Sequence, residues 1–250
     1  MQAFVTLTRR ELAAFFLSFT GYVIISATTF LMGWSFVVVI HNLGGDASPM
    51  PVTELFYRTP FFWLIVILAT PVITMRLFAL ERFSGTFETL MTTPVGDIQV
   101  VLAKFVAALV FYLVMWLPML GCLYVVQYYA RQSAALEPAT LAGMFLGIAL
   151  VGALFLALGS FASAITRSQT VAAMVALMLG FSLFALAFVA GKNPAAASWQ
   201  AHVLGHFALF DQMHDFARGI VDTRAVVFYV TLTFFFLFLT LRAVESRRWR

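Results

Sequence analysis

Met75-Arg76-Leu77-Phe78-Ala79-Leu80-Glu81-Arg82-Phe83-Ser84-Gly85-Thr86-Phe87-Glu88-Thr89-Leu90-Met91-Thr92-Thr93-Pro94-Val95-Gly96-Asp97 is the stretch on which the reading of this chain turns. The sequence on either side is apolar enough to sit in lipid. Here it leaves one hydrophobic run, carries charges and turn residues, and then enters another run. Ser84 or Gly85 suits a helix cap, with Glu88 favourably placed in the first turn. Phe87, Leu90, Met91 and Pro94 recur at helical spacing, so a short helix with one apolar face is expected. Pro94-Val95-Gly96 ends it, and Asp97 is placed to cap the next helix. By itself such a helix either floats on a membrane or docks a soluble partner.

Composition sets the solvent. Hydrophobic residues make up 62% of the 250 and charged residues 10%, against about 25% charged in a soluble domain. With a mean hydropathy of +0.97, the chain cannot cover itself with polar surface. No long stretch lacks a nearby apolar run, so a single membrane domain over 1–250 is expected. The net charge of +4 is scattered over the ends of apolar runs, which is not a nucleic-acid footprint. Cys122, the lone cysteine, permits no intrachain disulfide and reads as a small apolar residue.

Working outward, six runs are long enough to span a bilayer: about 20–40, 59–78, 98–126, 138–161, 170–189 and 225–241. The expected fold is an all-α polytopic membrane protein. Before the first run, Phe4, Leu7, Leu12, Phe15 and Phe19 fall near one helical face while Thr6, Arg9 and Arg10 fall elsewhere, so residues 1–19 read as an interfacial helix. Arg9-Arg10 also resembles a twin-arginine export signal. The run that follows is too long for a cleaved signal and lacks a small-residue cleavage site, so it reads as an uncleaved span. Pro71 and Pro118 lie inside the second and third runs and are expected to kink them. Tyr124, Tyr128 and Tyr129 mark an interface. Gly143-x-x-x-Gly147, Gly152, Ala153, Ala157 and Gly159 suit close packing against a helix of this chain or of a second copy.

Six spans put both termini on one side. That side holds Arg9, Arg10, Arg76, Arg82, Lys104, Arg167, Arg242, Arg247, Arg248 and Arg250; the other holds Arg58, Arg131, Lys192, Arg218 and Arg224. The positive-inside rule therefore puts the termini, the opening stretch and the Thr166-Arg167-Ser168-Gln169 loop in the cytoplasm.

No Gly-x-x-x-x-Gly-Lys-Ser/Thr loop, Gly-x-Ser-x-Gly elbow or His-Glu-x-x-His pair occurs in the sequence, so the expected energy source is external and the chain is not expected to be an enzyme. Arg76 and Lys104 sit near span ends and read as snorkelling to water. No carboxylate lies mid-run, which argues against an ion-coupled carrier. His202, His206, Asp211, His214 and Asp215 have helical spacings but match no specific metal motif, and no metal site is assigned. The segment reads instead as amphipathic or re-entrant, with Phe207, Leu209, Phe210 and Phe216 toward lipid and Asp215 and Arg218 toward water.

Glu81-Arg82-x-x-Gly85-Thr86-x-Glu88-x-Leu90-x-Thr92-x-Pro94 resembles the cytoplasmic loop of type-2 ABC transporter permeases, closest to the gliding-motility-associated and copper-processing (denitrification) subgroup. Arg9-Arg10-Glu11-Leu12 with Phe16 and Ser18 resembles the family's elbow. Gly159-x-x-x-Ser163-x-x-Thr166-x-x-Gln169-x-x-Ala172 resembles its second cytoplasmic loop. His206-Phe207, Phe216-x-Arg218-Gly219, Leu239-Thr240 and Arg247-Arg248-Trp249 resemble the gliding subgroup, whereas Thr20 stands where that subgroup often has proline. The likeness covers nearly the whole chain.

The resemblance implies a membrane permease subunit, an exporter, driven by a separate ATPase subunit. ATP and Mg would bind that partner, leaving no cofactor in this chain. Coupling would fall on Glu81, Arg82, Gly85, Thr86, Glu88, Leu90, Thr93 and Pro94, within the segment 81–96. The elbow would be Arg9, Arg10, Glu11 and Leu12, and the second cytoplasmic loop Thr166, Arg167 and Gln169. The loop 190–224 would be an outer re-entrant region gating the exit through Phe207, Asp215, Arg218 and Gly219. Implied partners are the ABC ATPase, a second permease copy or related permease, the bilayer of a bacterial inner membrane, and an accessory protein with a periplasmic domain. The competing expectation is a membrane anchor or assembly platform of a motility or surface machine that moves no cargo.

Overall fold

The computed structural model describes residues 2–43, 52–83, 96–130, 138–192 and 207–246. Among these the structure is helical, without strands. The helices are α1 (Gln2–Phe16), α2 (Phe19–Leu43), α3 (Val52–Arg58), α4 (Pro60–Thr74), α5 (Ala79–Phe83), α6 (Asp97–Met115), α7 (Pro118–Ala130), α8 (Pro138–Ile165), α9 (Gln169–Lys192), α10 (Leu209–Ala217) and α11 (Thr223–Glu245). Among the described residues six segments are long and apolar enough to cross a membrane: Phe19–His41, Pro60–Phe83, Asp97–Val126, Pro138–Ile165, Gln169–Ala190 and Thr223–Glu245. The protein is a polytopic all-α membrane protein.

Backbone groups in lipid must be satisfied within the helix, and several hydroxyls in these spans join that ladder. Thr28, Thr70 and Thr74 donate to the carbonyls of Ile24, Val66 and Thr70 at 2.8 Å. Ser160 and Thr240 do the same to Leu156 and Phe236 at 2.7 Å. Each thereby hides a polar group that would otherwise be costly in an apolar medium.

Helix α8 is the hub, packing against α4, α6, α9, α10 and α11. Its glycines make those approaches possible. A Cβ at Gly152 would fall on Tyr112 of α6, and one at Gly159 on Thr74 of α4. Gly143 and Gly147 admit a short helix rather than another span: their missing side chains leave room for Phe216 and Met213 of α10 and for Gly219 beyond it. Gly219 turns the chain after α10 with φ +78°, a conformation that favours glycine.

Three sequence expectations change here. The second span, Pro60–Phe83, is not one continuous helix: α4 stops at Thr74, residues 75–78 form a turn, and α5 follows. Pro71 lies inside α4 and cannot donate to the preceding turn. The third span is broken at Trp116 and Leu117, just before Pro118 opens α7, because proline suits a first helical turn but not an interior. Gly96, not Asp97, stands at the N-cap of α6, with Asp97 in its first turn. The Ser84/Gly85 cap and the Phe87, Leu90, Met91, Pro94 face lie outside the described residues, as do His202 and His206.

Candidate functional site

Glu81 of the opening stretch meets Arg10 and Glu11 of the N-terminal helix at one point. Helix α1 lies along α6, with Leu7 packed on Val100 and Ala103, and Phe4 beside them. Phe15 stacks on Phe111 at 5.1 Å between centroids. This places Glu11 next to Lys104, two turns into α6. Lys104 Nζ donates to Glu81 Oε1 at 2.7 Å and to Glu11 Oε1 at 3.3 Å. Arg10 Nη2 lies 2.7 Å from Glu11 Oε1 and 3.6 Å from Glu81 Oε1. The Lys104 side chain is 1% exposed, those of Glu11 and Glu81 13% and 16%, and that of Arg10 57%. Two cations thus alternate with two carboxylates, from solvent inward. The ammonium also sits 5.6 Å from the ring centroid of Phe78, a favourable cation–π geometry.

The turn joining α4 to α5 is held from two further spans. Arg76 Nη1 donates to Thr20 Oγ1 of α2 at 2.9 Å. From α8, the Ser163 hydroxyl accepts the amides of Phe78 and Ala79, both at 3.1 Å. Beyond Ser163, Thr166 Oγ1 donates to the Ala162 carbonyl at 3.0 Å, Arg167 is exposed, and Gln169 begins α9.

At the other end of the bundle α3 and α10 clasp each other. Arg218 grips Glu54 through two bonds, Nε to Oε2 at 3.0 Å and Nη2 to Oε1 at 2.8 Å. The Glu54 side chain is 1% exposed, so the charge is buried with a bidentate partner. Its hydrogen bonds and charge, with a smaller contribution from Asp215, hold the Arg218 pKa above its ordinary value. Thr53 Oγ1 adds a 3.0 Å bond to the Ala217 carbonyl. Beside this clasp a cleft of about 550 Å³ opens between α4, α9 and α10. Its walls include Trp63, Phe181, Phe184, Phe210 and His214; so predominantly apolar a surface accepts an apolar group rather than a charged one.

Compared with known proteins, the sequence matches the profile described as "ABC-2 family transporter protein" over residues 9–218. The chain belongs to the ABC-2 transporter family. No curated protein matches it significantly. Family membership makes the chain the membrane-spanning permease component of an ABC transporter, which associates with an ATPase subunit.

In this ABC-2 permease the structure brings together residues that the sequence reading kept in separate groups. Arg10 and Glu11 of the anticipated elbow meet Glu81 of the anticipated coupling segment. Arg9 is exposed, and Leu12 and Arg82 are half-buried. Gly85, Thr86, Glu88, Leu90, Thr93 and Pro94 lie outside the described residues. Of the anticipated outer gate, Arg218 and Gly219 join α10 to α3 and α8, while Phe207 meets Phe228 of α11 at 5.2 Å. Asp215 is half-buried.

Two readings are corrected. Lys104 does not snorkel: packing of α1 over α6 closes its route to water, and carboxylates take the place of solvent. Leu209 and Phe216 do not face lipid but enter the permease's own core, because the glycines of α8 leave space for them. Ser163, Lys104 and Glu54 were not assigned site roles from sequence. The second-loop pattern contained Ser163, but nothing local pointed to its partners.

Proposed function

We propose that this permease is the transport subunit of an exporter in a bacterial inner membrane, with both termini cytoplasmic, and that a separate ATPase drives it through the segment 81–96. The observation that carries the reading is the convergence of Arg10, Glu11 and Glu81 on the buried Lys104. A coupling segment must not swing freely on its span. Here its first carboxylate, Glu81, pairs with Arg10 of the elbow and with Lys104 near the start of the third span. A push on the segment is therefore shared between the second span, the third span and the elbow. Gly85, Thr86, Glu88, Leu90, Thr93 and Pro94 complete the coupling surface, with Arg82 beside them.

On the outer side the Arg218–Glu54 clasp, with Gly219, Asp215 and Phe207, forms the gate of the exit. A second permease copy completes the path. The subgroup likeness favours a gliding- or copper-type system with an accessory periplasmic protein.

The test is co-expression with the cognate ATPase. Wild-type permease is expected to co-purify with it and to support ATP-driven activity. Glu81→Lys with Gly85→Pro is expected to abolish that activity while the permease still inserts and folds. Intact activity in the double variant would end the coupling assignment. Vesicles in which ATP drives no movement of candidate cargo would favour the anchoring platform over the exporter.

A further inference from the structure

The break between α4 and α5 has an unusual cap. A helix that stops leaves carbonyls without partners, and one that starts leaves free amides. Residues 75–78 contain no glycine or proline, and no side chain of the turn itself caps α5 among the bonds observed. Instead one hydroxyl from another span serves both sides of the break. Ser163 Oγ accepts from Phe78 N and Ala79 N at 3.1 Å and donates to the Met75 carbonyl at 3.4 Å. A hydroxyl has one proton and two lone pairs, and this one uses all three. Ser163 is fully buried, so water cannot take its place. One turn earlier on α8, Gly159 lets Thr74, the last residue of α4, come into contact.

We infer that Ser163 is a positioning residue that makes α8 move with the coupling segment. This rests on the proposed function above. The chain itself links the segment to α4 on one side and to α6 on the other; the Ser163 bonds add a direct connection from the turn before α5 to the hub helix. Because α8 packs on α4, α6, α9, α10 and α11, a displacement of α5 passed to α8 reaches the clasp at the opposite end, where Gly143 and Gly147 seat α10. Ser163 thereby connects the ATPase side to the α10 side without a moving charge.

The test has two arms. In the isolated permease, amide hydrogen exchange is read at Phe78 and Ala79. Ser163→Ala is expected to speed both by about fivefold, the worth of one net hydrogen bond, with Arg82 N, bonded to the Phe78 carbonyl, as the internal control. Ser163→Thr is expected to restore slow exchange. Unchanged exchange in Ser163→Ala would overturn the inference.

In the ATPase complex, a spin label at Leu141 on α8 reports whether ATP moves the far end of that helix. The wild type is expected to respond, Ser163→Ala to bind the ATPase but lose the response, and Ser163→Thr to regain it. A full response in Ser163→Ala despite fast exchange would overturn transmission through Ser163. Failure of the wild type to bind any ATPase would overturn the parent reading and this inference together, and the exchange arm would still decide whether the cap exists.

Discussion

Lys104→Met removes the buried charge at nearly constant length and tests the cluster directly. At 2.7 Å from Glu81 Oε1, the gross attraction is about 6 kcal/mol at an effective dielectric of about 20. Desolvation of the ammonium offsets several of these. Removing one member of a buried pair typically costs about 3–5 kcal/mol because the other is left uncompensated. Glu11 and Glu81 retain some access to water and to Arg10, which argues for the low end, about 3 kcal/mol. Unfolding in mixed micelles, followed by tryptophan fluorescence, measures the loss. Glu81→Gln should cost less, since Lys104 keeps Glu11. In the double variant the losses should fall short of additivity by about 1–2 kcal/mol, as expected for contacting residues. A Lys104→Met variant within about 0.5 kcal/mol of wild type, the range of ordinary surface changes, would refute the buried network.

Other perturbations follow from the same structure. Glu54→Gln should lower the thermal midpoint more than Arg218→Lys, because the lysine retains a charge for the buried carboxylate whereas glutamine strips the pair of its anion; equal midpoints would contradict charge pairing as the main contribution of the clasp. Gly159→Ala should destabilise by about 1–3 kcal/mol through overpacking, while Gly33→Ala, where a Cβ meets nothing within 4 Å, should be tolerated; differential scanning fluorimetry separates them. Tyr57 is buried with a hydroxyl that has no hydrogen-bond partner among the described residues, so Tyr57→Phe should hold or raise stability by about 1 kcal/mol. Burial, and then the nearby Tyr112, keeps the Tyr57 pKa well above its ordinary value. The unfolded chain therefore loses that proton first, stability falls as pH rises above about 10, and Tyr57→Phe should flatten that alkaline limb in melts across pH.

The spans were legible because length and hydropathy suffice when the solvent is lipid. The breaks were legible only where the sequence carries its own signal. Pro118 announces the end of α6, but Met75-Arg76-Leu77-Phe78 does not announce the end of α4. That break is stabilised by Ser163, 85 residues away from Phe78. Lys104 shows the same limit. A lysine near a span end has two outcomes, water or a partner, and the packing of α1 decides between them. Nothing local marks Glu54, because its partner lies 164 residues on. The small-residue pattern of α8 signalled close packing, but not that a nine-residue helix, α10, would fill part of it. The segment proposed to couple to the ATPase carried the likeness from which the family resemblance starts, and it is tied at Glu81 to a cluster that no local pattern contains.

Disulfide or short-linker crosslinking to the ATPase tests the central claim most directly. In a Cys122→Ser background, single cysteines at Thr86 and Leu90 are introduced alongside one at Asp222, beyond the α10 clasp, and the complex is probed with and without ATP. The account expects crosslinks to the ATPase from Thr86 and Leu90, altered in yield by ATP, and none from Asp222. A stable, ATP-hydrolysing complex in which neither Thr86→Cys nor Leu90→Cys reaches the ATPase would contradict it.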